Sequence, residues 1–251
     1  MPIIPEFSLS GRVVVLYTAG GDEGPLLAQA LAEGGASVFV VARRQETLDV
    51  VLAALAAGSH NGVASSLSSY ADLSEMVDTF DLQYDRVDIL VNDARSFFAK
   101  PFTEIGLDDW EELHARNLRS VMMLCQAFGQ RMVQQEYGRI VNLISVMAER
   151  GVINGSAFSS TQAGLLSLTR SLAVEWGRHN IRVNAIGAGW TTAEDIPLEV
   201  QREELLVRYT PLRRKGNPRD IGPLLVYLCS EACDYSTGQP VYVDGGLNAH
   251  P

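Results

Sequence analysis

Val13-Val14-Val15-Leu16-Tyr17-Thr18-Ala19-Gly20-Gly21-Asp22-Glu23-Gly24 holds a change of backbone state within one short stretch. Its first five residues are apolar or aromatic at every position, without the alternation of a half-exposed strand, so they read as a strand covered on both faces. The paired glycines supply a turn, and Pro25 to Gly35 is long enough for a helix. Outward from this unit the pattern repeats. Val38–Val41, Val87–Asn92, Arg139–Ile144, Ile181–Ile186 and Pro240–Val243 read as strands, and Leu107–Gln134 and Gln162–Arg178 as helices. Strands separated by helical segments imply βαβ crossovers. The expected fold class is therefore α/β, a doubly wound parallel sheet with helices on both faces, in one domain over residues 1–251. Residues 191–208, Thr191 to Arg208, read as a lid-like insertion over the carboxyl edge of the sheet, where open α/β sheets place their ligands.

Composition narrows the function. A hydrophobic share of 47% against 20% charged residues is that of a chain folded throughout. A net charge of -10 repels polyanions, which excludes nucleic acid as a partner. Cys125, Cys229 and Cys233 form no CxxC pair and read as buried thiols, with Cys229 and Cys233 spaced to share a helix face. The opening Met1-Pro2-Ile3-Ile4-Pro5-Glu6 lacks a basic stretch followed by a long apolar run, and no apolar run reaches the roughly 18 residues of a membrane span. A cytoplasmic protein without membrane contact is expected. His60, His114, His179 and His250 form no ligand set with cysteine or an acidic partner, so no metal is expected, and His114 reads as structural.

Gly11-Arg12-Val13, Ile89-Leu90-Val91-Asn92, Asn117, Gly138-Arg139-Ile140-Val141-Asn142, Arg182-Val183-Asn184-Ala185 and Gly238 to Gly246 with Asp244 follow one another along nearly the whole chain. In order and spacing they resemble the landmarks of the short-chain dehydrogenase/reductase family, and the resemblance implies a Rossmann-type sheet. The family holds a dinucleotide with a T-G-x-x-x-G-x-G turn, which falls on Tyr17 to Gly24, and only Gly24 matches. Thr18 stands where a glycine would admit the pyrophosphate, and Asp22 and Glu23 place carboxylates where its phosphates would sit. A second reading leaves the turn to Gly20 and Gly21 and lets the acids favour the positive end of the following helix. The family's N-N-A-G looks like Asn92-Asp93-Ala94-Arg95, so Arg95 intrudes on the cofactor space, pairing with Asp22 or Glu23, or else swings to solvent. Arg43 and Arg44 read as a solvated basic pair, with a phosphorylated ligand left open.

The resemblance also implies a tyrosine activated by a lysine four residues on, with a serine thirteen residues before the tyrosine. Those positions hold Phe158, Gln162 and Ser145, beside Asn117. A phenyl ring moves no proton, a carboxamide holds no phenolate by charge, and Ser145 alone needs a base. The expectation that follows is a non-catalytic subunit, with no functional catalytic or cofactor-binding residue and with NAD or NADP bound only by an active short-chain dehydrogenase partner in a heterotetramer. Degenerate members of this kind accompany hydroxyacyl-CoA dehydrogenases, such as the pair acting on benzylsuccinate-derived CoA thioesters in anaerobic toluene breakdown. The retained helices Trp110–Val133 and Gln162–Trp176, with small Ala163 and Gly164, and the strand Pro240–Asp244 would supply the contacts, although the small residues also suit packing within one chain. Two alternatives stay open: nicotinamide-independent chemistry at Ser145 and Asn117, and a ligand-sensing regulator.

Overall fold

The computed structural model describes residues 4–21, 23–55 and 58–249; Asp22 and His250 lie outside the described residues. Its strands are β1 (Val13–Thr18), β2 (Ser37–Ala42), β3 (Asn61–Ala64), β4 (Ile89–Asp93), β5 (Gly138–Ser145), β6 (Ile181–Ala188) and β7 (Pro240–Val243). They form one sheet in the order β3-β2-β1-β4-β5-β6-β7, every neighbouring pair parallel. The helices are α1 (Glu23–Glu33), α2 (Gln45–Ala54), α3 (Tyr70–Asp81), α4 (Leu107–His114), α5 (Ser120–Gln135), α6 (Ser156–Trp176), α7 (Leu198–Gln201), α8 (Leu205–Tyr209) and α9 (Gly222–Cys229). This is the expected Rossmann-type sheet, flanked on both faces. Successive side chains of β1 explain why it must be apolar throughout. Val14 and Leu16 enter a core with Leu27, Leu31 and Leu225, whereas Val15 and Tyr17 enter a second core with Phe80, Phe128 and Leu165.

Several boundaries differ from the pattern reading. Strand β3 carries no continuous apolar run, because it is the sheet's edge, pairs only with β2 and is half-buried throughout. The helical stretch from Leu107 to Gln134 is three pieces: α4, a π-helical turn over Ala115–Arg119, and α5. Helix α6 begins at Ser156, six residues before Gln162, so Phe158 and Gln162 lie on its first two turns. Helix α9 stops at Cys229 and Ser230 is extended, which ends the helix face that Cys229 and Cys233 were expected to share. All three thiols are buried, and burial pushes that of Cys125 up to about 12.

Buried polar side chains fasten the sheet. Asn92 Nδ2 donates to Asn142 Oδ1 at 2.9 Å, and Asn142 Nδ2 to Thr169 Oγ1 at 2.9 Å, tying β4 to β5 and β5 to α6. Arg139 is fully buried at the start of β5, where it meets Asp234 at 3.1 Å, Glu231 at 3.2 Å and the Tyr137 ring at 4.8 Å. Gly164 faces its own chain: a Cβ there would lie 3.1 Å from Leu118. Over the sheet's carboxyl edge, residues 191–208 carry α7 and the start of α8, anchored by a bridge between Thr191 and Gly216. No helix among the described residues is long and apolar enough to cross a membrane.

Candidate active site

Strand register assembles the site. Thr18 stands opposite Asp93 and Ser145 opposite Ala188, so four strand ends reach one edge beside the β1–β4 junction, where the direction of strand order reverses. Beyond β1 the backbone turns on Gly20 and Gly21, with φ of +115° and +91°, a region that side-chain-bearing residues rarely adopt. Thr18 supports this turn instead of obstructing the cleft. Its side chain is fully buried, Oγ1 accepts from Gly20 N at 3.2 Å, and a Cβ on Gly24 would lie 2.9 Å from that oxygen. The glycine turn therefore exists in a register shifted from the T-G-x-x-x-G-x-G pattern, with Thr18 filling the space beneath α1.

The mouth of the cleft is charged. Arg95 Nε donates to Asp93 Oδ1 at 2.7 Å, and Nη2 lies 4.0 Å from Glu23 Oε1. Arg95 thus points inward, about nine-tenths buried, but its main partner is Asp93, a residue the motif comparison passed over. Burial raises the Asp93 carboxyl pKa, and the guanidinium of Arg95 opposes that rise. Glu23 Oε1 also accepts from Thr191 Oγ1 at 2.8 Å, which joins α1 to the loop after β6.

Deeper in, Ser145, Met147 and Phe158 line a cavity of about 190 Å³ shared with this charged mouth, with the exposed Phe97 at its rim. The backbone N–H of Ser145 donates to Gln162 Oε1 at 2.9 Å, and Ser145 Oγ accepts from Met147 N at 3.3 Å. Among the described residues Ser145 Oγ donates to no acceptor, so its proton can be offered outward. Gln162 is fully buried and its Nε2 donates to Thr161 Oγ1 at 3.2 Å, so it clamps the serine's backbone. The Phe158 ring meets Phe97 edge-on at 5.3 Å and packs with Val146 and Leu247. Asn117 is spent elsewhere. Its Oδ1 accepts from Ser96 N at 3.1 Å and its Nδ2 donates to Ser96 O at 3.0 Å and Thr161 Oγ1 at 3.2 Å, which removes it from the chemistry proposed for it beside Ser145. Among the described residues Trp190 Nε1 is buried without a hydrogen-bond partner, and Trp190 lines the same cavity; a lone tryptophan in a loop gave no sequence signal.

Two other groups resolve simply. His114 stacks on Trp110 at 4.2 Å and bonds its carbonyl at 2.9 Å, a structural setting. Arg43 lines a separate hollow of about 320 Å³ with Arg116, Arg119, Ser66 and Ser68, beyond the ends of β2 and β3. Among the described residues, no group of three or more His, Cys, Asp or Glu could hold a metal ion.

Comparison with known proteins decides between an active and a silent member. A family model described as Enoyl-(Acyl carrier protein) reductase matches residues 24–248. The chain is 32% identical to the 3-oxoacyl-(acyl-carrier-protein) reductase of Aquifex aeolicus (strain VF5) over 248 residues, 96% of this chain and 99% of that one. It is 30% identical to D-threitol dehydrogenase of Mycolicibacterium smegmatis over 96% of this chain and 94% of that protein. A solved gluconate 5-dehydrogenase of Burkholderia cenocepacia J2315, in complex with NADP and tartrate, superposes with a TM-score of 0.87 at 26% identity, over 98% of each chain. These matches overturn the expectation of a non-catalytic subunit without its own dinucleotide, and with it the assignment to a benzylsuccinate pathway pair. The expectation weighed the losses at Phe158 and Gln162, which bear on proton transfer, an obstruction at Thr18 that the fold turns into support, and the charges of Asp22, Glu23 and Arg95, of which Asp22 lies outside the described residues. From β1 to the last turn, in sequence and in three dimensions, the chain belongs to the short-chain dehydrogenase/reductase family, within the group whose model is described as Enoyl-(Acyl carrier protein) reductase.

Proposed function

We propose that this chain is an NAD(P)-dependent oxidoreductase of the cytoplasm that interconverts a secondary alcohol and a ketone in the cleft above β1, β4, β5 and β6. The observation that carries the reading is the convergence on one cavity of a positive-φ glycine turn and a serine hydroxyl that, among the described residues, donates to no acceptor. Gly20, Gly21 and the start of α1 would hold the pyrophosphate, since backbone N–H groups and the helix dipole favour an anion there. Arg43 offers a cation to the phosphorylated dinucleotide at a hollow it shares with Arg119, Glu111 and the ion pair of Arg116 with Glu112. When bound, the nicotinamide dinucleotide supplies or accepts a hydride. Ser145 Oγ would hydrogen-bond the substrate oxygen and polarise the carbonyl without giving up its proton, held in place by Gln162 at its backbone N–H, and solvent water would supply or take up the proton of the alcohol. Met147 and Phe158 form an apolar wall, extended outward by the exposed Phe97, that suits a substrate with an apolar arm. An alcohol is a weak acid beside a carboxamide, so proton exchange limits the rate.

The test is calorimetric titration with NADP and NAD, followed by turnover assays with secondary alcohols and ketones bearing apolar arms. Binding of NADP in preference to NAD, with slow turnover that Ser145→Ala abolishes, is the expected result. Absence of binding by either dinucleotide at millimolar concentration would overturn the proposal.

A further inference from the structure

We propose that Glu23 is a built-in latch, an internal carboxylate that occupies the anion position of the cleft and must swing out before a dinucleotide enters. This rests on the oxidoreductase reading above. The site at the glycine turn and the start of α1 favours a negative charge, and here the protein supplies that charge itself. The Glu23 side chain folds back over the turn: its Oε2 lies 3.2 Å from the position a Cβ on Gly21 would take. Its Oε1 accepts from Thr191 Oγ1 at 2.8 Å and lies 4.0 Å from Arg95 Nη2. One carboxylate therefore spans the cleft from α1 to the loop after β6, residues 168 positions apart in sequence. Only 22% of its side chain remains exposed, and Arg95 is bound more closely to Asp93 at 2.7 Å.

The charge count sets the consequence. Glu23 and Asp93 offset Arg95 and leave one net negative charge among the three. Two phosphates brought to that mouth meet a carboxylate in a partly dry space, where like charges repel far more than in water. Rotating Glu23 outward removes the repulsion, releases Thr191 and frees Arg95 for a phosphate oxygen. Affinity for the dinucleotide is then set by the equilibrium between latched and open clefts as much as by contacts in the open one.

The experiment compares wild type, Glu23→Ala and Thr191→Val, with Glu23→Gln as the variant that keeps the side chain's length and loses its charge. NADPH is titrated into each by calorimetry, and amide hydrogen exchange of residues 192–196 is measured without ligand. The expected result is about tenfold or more tighter binding in Glu23→Ala and Glu23→Gln, within the usual range of coupling between two states, with a smaller gain in Thr191→Val. Exchange of residues 192–196 should be faster than wild type in Glu23→Ala and Thr191→Val before any ligand is added. Equal affinities in all four proteins overturn the latch and leave the oxidoreductase reading standing. Binding by none of them overturns the oxidoreductase reading and, with it, the latch as a gate for the dinucleotide, whatever the exchange rates show.

Discussion

Phe158 and Gln162 show how two substitutions alter a reaction without dismantling its site. The phenyl ring became part of an apolar cluster with Val146 and Leu247, and the carboxamide became a clamp on the backbone of Ser145. Neither can exchange a proton with substrate, and a positioned acid or base is typically worth roughly 10²–10⁴-fold in rate. Phe158→Tyr with Gln162→Lys should therefore raise kcat by about 10²-fold or more, read in a turnover assay with NADP, and should shift the pH profile towards that of a titrating phenol. An unchanged kcat would mean that proton transfer does not limit the rate. The double variant should also lose stability, because Gln162 is fully buried and a lysine there must shed its water.

Helix α3 illustrates stability held at a single element's end. Ser69 caps it by accepting from Asp72 N at 3.2 Å, while Asp72 accepts from Ser69 Oγ at 2.7 Å and Ser68 N at 3.0 Å, and from Ser66 Oγ. These hydrogen bonds, that from Ser66 foremost, hold the Asp72 carboxyl down at about 2. A carboxyl whose folded pKa lies below its unfolded value adds stability above the unfolded pKa and loses it as pH falls through the folded one. The contribution is full at neutral pH and disappears between about pH 4 and 2. Ser69→Ala should cost about 1 kcal/mol at pH 7 by urea denaturation. Asp72→Asn should lower Tm at pH 7 and leave it nearly unchanged at pH 2, and an equal loss at both values would exclude the charge as the cause.

At the scale of the molecule, Arg139 joins the start of β5 to the chain after α9. It is fully buried, and it meets Glu231, Asp234 and the carbonyls of Gly138, Asn180 and Ser230. Removing the guanidinium takes a donor from the carbonyls of Gly138 and Ser230 in a buried setting, whereas the exposed carboxylates of Glu231 and Asp234 return to water. Arg139→Ala should cost about 1–3 kcal/mol in urea denaturation, the penalty of leaving buried acceptors unsatisfied, whereas Arg139→Met, which keeps much of the volume, should cost less. Equal losses for both would assign the effect to the lost charge and hydrogen bonds rather than to packing.

The sequence by itself determined the architecture. Strands buried on both faces must be apolar at successive positions, and that pattern marked six of the seven strands; it failed at β3, whose edge position relaxes the requirement. The positions of Ser145, Phe158 and Gln162 were legible through the family resemblance, whose serine, tyrosine and lysine spacing falls on them. What the sequence could not give was the direction each side chain takes once distant segments meet. Thr18 in a motif position reads as an obstruction, and only its burial beneath Gly20 and Gly24 makes it a support. Asn117 reads as a site residue until the π-helical turn aims it at Ser96 and Thr161. The bridge from Glu23 to Thr191 spans 168 positions of sequence and has no local signature. Such contacts depend on register between β1, β4 and β6 and on the loops that follow them, and register is a property of the assembled sheet.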